Sequence, residues 1–222
     1  MQPDSPTYRP ISTDGAPATL VGGGEGSASL LNLALSHAPL LVAADGGIHL
    51  AQAAGVTPAA VIGDFDSATP GSLAGTDIRH RPDQNLTDFQ KCLAEVDAPL
   101  FLGVGFLGGR LDHQLAAFSA ILGEPRPVVL VSHTELAFIA PERLALNLGE
   151  GTPLSLWPLR AATLTTTGLR YPLTQAAVAP DGLTSTSNHV EGGPVTITSD
   201  RRALLVTAPL GTLPVVIAAL AQ

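Results

Sequence analysis

The chain has 222 residues, a formal charge of −8, 45% apolar residues and one cysteine. That length accommodates one large domain or two small ones around a sizeable core. The acidic balance without a basic run argues against a nucleic-acid partner, Cys92 alone allows neither an internal disulfide nor a cysteine-held zinc, and no apolar run reaches the ~18 residues of a membrane span, so a soluble cytoplasmic protein is expected.

Residues 1–17 are polar and proline-bearing and read as a flexible tail, without the basic and apolar regions of a secretory signal. Ala18 to Val21 is a short buried strand that runs into Gly22-Gly23-Gly24-Glu25-Gly26, and Ser27 to His37 reads as a helix. Leu40 to Ala44 is a second strand, stopped by Asp45-Gly46-Gly47; a helix follows over Ile48 to Ala54. Ala59 to Ile62 is a third strand with Asp64 directly after it. Thr87 to Val96 is helical, Leu100 to Val104 is a strand, Leu111 to Leu122 a helix and Pro127 to Val131 a strand. Continuous apolar strands alternating with helices predict a parallel, Rossmann-like α/β sheet with helices on both faces over residues 18–136. From residue 137 to 222 short Thr- and Val-rich runs are broken by Gly, Pro and Ser, and no helical periodicity is convincing; this predicts an all-β sandwich domain.

In a parallel sheet ligands gather beyond the carboxyl ends of the strands, where the acidic and glycine-rich motifs of this chain fall. Asp64 and Asp66 are spaced i, i+2 after a strand and point to one side if strand geometry continues. Two such carboxylates repel unless a cation lies between them, and magnesium takes a few carboxylates with phosphate oxygens. An ordinary Asp–Ser turn at Asp66-Ser67 explains the pair equally well. Asp45 ends the neighbouring strand, and Gly46 and Gly47 let backbone approach a ligand. Asp88 opens a helix that Thr87 can cap, where an acid also complements the helix dipole. Gly108 and Gly109 expose N–H donors at a helix start, and Arg110 offers a forked donor for a phosphoryl group; a surface Arg110–Asp112 pair is the plainer alternative. Lys91 is the only lysine, so phosphate chemistry must lean on arginine, metal ions and backbone N–H groups.

Taken in order, Ala44-Asp45-Gly46-Gly47, Gly63-Asp64-Phe65-Asp66-Ser67, Pro82-Asp83-Gln84-Asn85-Leu86-Thr87-Asp88, Gly108-Gly109-Arg110-Leu111-Asp112-His113, Ser155-Leu156-Trp157-Pro158-Leu159, Gly168-Leu169-Arg170-Tyr171-Pro172-Leu173 and Thr186-Ser187-Asn188 resemble the thiamine pyrophosphokinase family. The resemblance implies a catalytic α/β domain followed by a β-sandwich that binds thiamine and dimerises. It implies a homodimer with active sites between the α/β domain of one subunit and the β domain of the other. The implied reaction is ATP plus thiamine giving AMP plus thiamine diphosphate. By the same resemblance Asp64, Asp66 and Asp88 hold Mg2+ with Asp45 beside them. Gly46, Gly47, Gln84, Thr87, Gly108, Gly109 and Arg110 face ATP, and Asp112, His113, Ser187 and Asn188 face thiamine. After Asn188, where animal members often carry an aromatic residue, this chain reads His189-Val190-Glu191-Gly192-Gly193.

Two readings compete. A related pyrophosphokinase could act on another alcohol such as a pterin. A non-catalytic nucleotide-binding module would use the Gly22–Gly26 loop and Asp45, although Gly-x-Gly-x-x-Gly is not met. A haloacid-dehalogenase-type phosphatase lacks its downstream lysine and acid pair, and a Walker-type ATPase lacks Gly-Lys-Ser/Thr.

Overall fold

The computed structural model describes residues 8–66 and 75–221, so Ser67 of the acidic motif lies outside the described residues. The chain divides into two units: one runs through Ala120 and takes in Leu130–Ser132, and the other comprises Ile121–Val129 and His133 onward. The division therefore interleaves around residues 121–132 and places Glu135 and Leu136 with the second unit.

In the first unit, β1 (Ile11–Ser12), β2 (Ala18–Val21), α1 (Ala28–His37), β3 (Leu40–Ala44), α2 (Ile48–Ala53), β4 (Ala60–Gly63), β5 (Asp77–His80), α3 (Asp88–Glu95), β6 (Val96–Asp97) and β7 (Phe101–Val104) follow one another, and α4 (Leu111–Gly123) and β8 (Val128–Val131) straddle the division. The parallel strands β7-β2-β3-β4-β5 lie side by side in that order. Strands β2, β4 and β7 are buried along their whole length and β3 from Leu41 onward, which is why they read as unbroken apolar runs. Ser27 caps α1 by accepting from the Leu30 N–H at 3.2 Å. Thr87 caps α3 in a reciprocal box with Gln90. Val21, Leu31, Leu41, Ala43, Ile48, Ala51 and Val61 form one core cluster between the sheet and helices α1 and α2.

Because β3 and β7 flank β2 on opposite sides, the chain reverses its winding there, the position at which open α/β sheets admit ligands. Two glycine loops fill this point backbone to backbone. The Gly22 N–H donates to Val104 O at 2.8 Å and the Gly24 N–H to Gly105 O at 3.0 Å. A Cβ on Gly47 would fall 2.0 Å from Val21 O, so the turn after β3 reaches its place only because that residue has no side chain.

Three features depart from the sequence reading. Ile11–Ser12 lies within the stretch read as a flexible tail, yet it pairs in parallel with Val96–Asp97. Its alternation was too short to register as a strand. Strand β5 escaped notice because only Arg79 of its four residues is buried. In the second unit, β9 (Glu135–Ile139), β10 (Arg143–Leu146), β11 (Pro153–Pro158), β12 (Ala162–Thr167), β13 (Ala176–Val178), β14 (Ser185–His189), β15 (Val195–Ser199) and β16 (Leu204–Pro209) precede a helix, α5 (Leu213–Leu220). The antiparallel β unit expected from the sequence thus ends in a helix that was not foreseen: Leu213-Pro214-Val215-Val216-Ile217 is apolar nearly all round, so it carries no polar stripe to reveal a period. The strands form antiparallel runs β14-β11-β16-β9 and β10-β15-β12-β13. Strand β11 alternates buried Leu154, Leu156 and Pro158 with more exposed Pro153, Ser155 and Trp157, the period of a sheet with one covered face.

Gly47→Ala is expected to cost about 2–3 kcal/mol in urea unfolding through overpacking against Val21 O. Gly123→Ala, which meets nothing within 4 Å, is the matched control and should leave the midpoint unchanged or higher. Equal midpoints for the two would contradict the close approach.

Candidate active site

Strand β3 ends at Ala44, and Asp45 follows in a single 3-10 turn with Gly46 and Gly47. Strand β4 ends at Gly63, and Asp64 follows directly. Strand geometry does not continue beyond that point. Phe65 adopts φ 60°, a left-handed conformation, and its side chain packs against the core cluster of the first unit while its ring stacks on His80 at 5.8 Å. The proximity of the two acids therefore comes from a tight turn anchored by Phe65, not from an extended i, i+2 face. Asp45 also holds a positive φ, 36°. Such conformations cost roughly 1–3 kcal/mol each outside glycine and gather at functional sites.

The result is a trio. Asp45, Asp64 and Asp66 each offer a carboxylate oxygen, and these atoms lie within 4.8 Å of one another. Asp45 is buried, Asp64 half-buried and Asp66 exposed. A Cβ on Gly63 would stand 2.7 Å from Asp45 Cβ, so the glycine before Asp64 is what lets the two strand ends approach. Gln84 donates its Nε2–H to Asp64 Oδ2 at 2.7 Å, and the Asp66 N–H reaches Asp64 Oδ1 at 3.4 Å. Partial burial pushes the Asp64 carboxyl up, but the Gln84 and Asp66 hydrogen bonds and the charge of Lys91 outweigh it and hold the group below the usual carboxylate range. An oxygen-rich trio of this kind suits a hard divalent cation that keeps some of its shell for water or phosphate.

Asp88 stands outside the trio. It sits in the first turn of α3 and accepts from Lys91 Nζ at 2.8 Å. Lys91 is only 4% exposed, so the one lysine of the chain is committed to a partly buried ion pair. Sequence reasoning set Lys91 aside; its i, i+3 spacing from Asp88 was the available signal. Thr87 is occupied as the cap of α3, accepting from the Gln90 N–H at 3.3 Å.

Gly108 and Gly109 hold φ 81° and 65° just before α4. The Glu25 carboxylate fills the space beside Gly108, with Oε2 2.6 Å from where a Cβ would be. Glu25, which the sequence reading left among the loop glycines, thus shares this turn. Arg110 and Asp112 form a two-point surface pair, Nε to Oδ1 at 3.1 Å and Nη2 to Oδ2 at 2.6 Å. The hydrogen bond from Arg110 lowers the Asp112 carboxyl and in turn raises the guanidinium. Both side chains are exposed, and surface pairs exchange readily for a stronger partner. His113 is exposed, its N–H on Asp112 Oδ1 at 3.0 Å.

In the second unit Ser187 and Asn188 have different environments. Ser187 is exposed at φ 55°, its N–H on Ser155 Oγ at 3.1 Å. Asn188 is 2% exposed and its amide is fully used. Its Nδ2 donates to Tyr171 O at 2.9 Å and Ser185 Oγ at 3.1 Å, while its Oδ1 accepts from the Tyr171 and His189 N–H groups at 3.1 and 3.0 Å. Asn188 therefore holds the Arg170–Tyr171 segment by its backbone, and Tyr171 is 63% exposed. An open cleft of about 450 Å³ lies between Thr167, Leu169, Pro172 and Glu191; neither Ser187 nor Asn188 lines it.

A parallel sheet whose strand ends carry a carboxylate trio beside glycine loops, in a chain that continues into an antiparallel unit, defines an α/β protein with a candidate cation site and a second, antiparallel β unit. Residues 31–128 match the family model described as thiamin pyrophosphokinase, catalytic domain, and residues 142–204 match that described as thiamin pyrophosphokinase, vitamin B1 binding domain. Thiamine pyrophosphokinase 1 of Arabidopsis thaliana is 30% identical over 202 residues, covering 74% of this chain and 76% of the relative. Thiamine pyrophosphokinase 3 of Oryza sativa subsp. japonica is 34% identical over 168 residues, 64% of this chain, and the match spans 63% of that relative's length. Among solved structures, thiamin pyrophosphokinase from Candida albicans shares the fold with a TM-score of 0.74 at 18% identity, over 94% of this chain and 96% of that one. The chain belongs to the thiamine pyrophosphokinase family.

Asp64→Asn is expected to abolish metal-dependent turnover while the thermal midpoint of the metal-free protein stays level or rises, because one of three mutually repelling charges is gone. A midpoint that falls by several degrees would make the acid structural. Asn188→Ala leaves the Tyr171 backbone groups without their partner and is expected to cost about 1–3 kcal/mol in urea unfolding. An unchanged midpoint would contradict its structural role.

Proposed function

We propose that this chain is an ATP:thiamine diphosphotransferase, moving the terminal diphosphate of ATP as a unit onto the thiamine hydroxyl. The observation that carries the reading is the Asp45–Asp64–Asp66 trio at the strand ends of a thiamine pyrophosphokinase catalytic unit. The thiamine oxygen attacks the β-phosphorus and gives up its proton to solvent, the bond from that phosphorus to the α,β-bridging oxygen breaks, and AMP leaves carrying that oxygen. Thiamine diphosphate is the second product.

The donor set fits Mg2+: three carboxylates, graded from buried to exposed, with an amide donor fixing one of them. Held there, Mg2+ supplies charge neutralisation for the polyphosphate. The chain's own residues bind and orient. Asp45, Asp64 and Asp66 hold the ion, and Gln84 fixes the Asp64 carboxylate. Asp88, paired with Lys91, balances charge at the start of α3. The Gly46–Gly47 turn and the Gly108–Gly109 turn offer backbone N–H groups to phosphate oxygens. Arg110 exchanges Asp112 for a phosphoryl oxygen, which releases the Asp112 carboxylate toward thiamine, with His113 beside it. Ser187 faces thiamine, and Asn188 shapes the neighbouring loop rather than touching the substrate. A homodimer in the cytoplasm belongs to the same reading and rests on the family resemblance.

Incubation with ATP, Mg2+ and thiamine is expected to yield AMP and thiamine diphosphate in equal amounts by chromatography. ADP or free phosphate as the product would sink the reading. Formation of AMP with a hydroxymethyl pterin, but not with thiamine, would move the chemistry to another alcohol.

A further inference from the structure

Tyr8 and strand β1 lie outside both matched stretches of the chain, 31–128 and 142–204. The arm that carries them is nevertheless tied to the catalytic unit. Ile11–Ser12 pairs with Val96–Asp97, and the Thr13 N–H and Oγ1–H both donate to Asp97 O, at 3.3 and 3.1 Å. This places the Tyr8 ring over two guanidinium groups, 5.1 Å from Arg79 Cζ and 4.7 Å from Arg81 Cζ.

Those arginines share one acid. Arg79 Nη1 reaches Glu95 Oε2 at 2.9 Å, Arg81 Nε reaches Glu95 Oε1, and Arg79 Nε also holds Asp77 Oδ2 at 2.8 Å. Arg79 and Glu95 are buried. Glu95 ends α3, where the helix dipole disfavours an anion, so the arginines account for its presence. Arg81 and Glu95 close the segment between them like a staple. That segment contains Gln84, Thr87 and Asp88. Its first residue is also fixed to the site by backbone, since the Arg81 N–H donates to Gly63 O at 2.7 Å, one residue before Asp64. Three residues later Gln84 meets Asp64.

We propose that Tyr8 is a positioning residue for the metal–phosphate site: its ring, laid across Arg79 and Arg81, secures the Arg81–Glu95 staple and so keeps Gln84 on the Asp64 carboxylate. The ring face attracts both cations and shields the ion pairs from water, which strengthens them. The proposal rests on the trio being the metal site of the reaction proposed above.

The test uses the full chain as wild type, Tyr8→Ala, Tyr8→Leu and Tyr8→Phe. Mn2+ binding is titrated by electron paramagnetic resonance without nucleotide, and kinetic constants are measured for MgATP and thiamine. Loss of the ring in Tyr8→Ala and Tyr8→Leu should weaken Mn2+ binding and raise the MgATP KM about three- to tenfold, with the thiamine KM held within about twofold. Tyr8→Phe keeps the ring and should match wild type. Equal Mn2+ affinity in all four proteins, with or without a fall in thermal midpoint, overturns the proposal, as does a Tyr8→Phe protein as weak as Tyr8→Leu. If Tyr8→Ala does not fold, the Leu–Phe comparison decides. If wild type makes no thiamine diphosphate, the proposed reaction fails, and the Mn2+ series still decides the role of Tyr8.

Discussion

Three carboxylates within 4.8 Å of one another are the constraint on which this site depends. Carboxylates this close repel one another, and at Asp64 the hydrogen bonds from Gln84 and the Asp66 N–H favour the charged form. The fold imposes that arrangement by backbone means. Gly63 makes room for Asp45, Asp45 and Phe65 accept positive φ, and the half-buried Phe65 packs against the core cluster between its two acidic neighbours. Strain and repulsion of this kind persist only where surrounding structure over-determines them, and a bound cation relieves the second.

Four basic side chains of the first unit are committed to acids. Lys91 is held by Asp88, Arg79 and Arg81 by Glu95, and Arg110 by Asp112. These pairs differ in burial, and that difference sorts their roles. The Lys91–Asp88 and Arg79–Glu95 pairs are mostly withdrawn from water, where breaking a partner is costly, so they fix geometry. The Arg110–Asp112 pair is exposed and free to exchange for substrate groups. The same distinction holds in the second unit between exposed Ser187 and buried Asn188, adjacent residues with opposite side-chain environments.

The parallel strands were legible because burial on both faces leaves apolar runs, and the helices because Ser27 and Thr87 announce their starts. The acids were legible as strand-end residues. Their grouping was only partly so. Asp88 and Asp45 look alike in sequence, each near a turn, yet a buried lysine one helical turn away claims Asp88 while the Asp45–Gly47 turn delivers Asp45. Strand β5 and the Tyr8 arm were not legible, because their side chains make ion pairs and ring contacts that leave no hydrophobic period. Helix α5 was hidden for the opposite reason, being apolar on nearly every side.

The central claim is that Asp45, Asp64 and Asp66 together hold the cation that carries the polyphosphate. A crystal grown with Mn2+ and α,β-methylene-ATP, whose carbon bridge resists cleavage, tests it directly through anomalous scattering. The account predicts an anomalous peak between the three carboxylates with analogue phosphate oxygens in its shell. A peak held by Asp88 without Asp45, or a bound analogue whose phosphates avoid the trio, would contradict it.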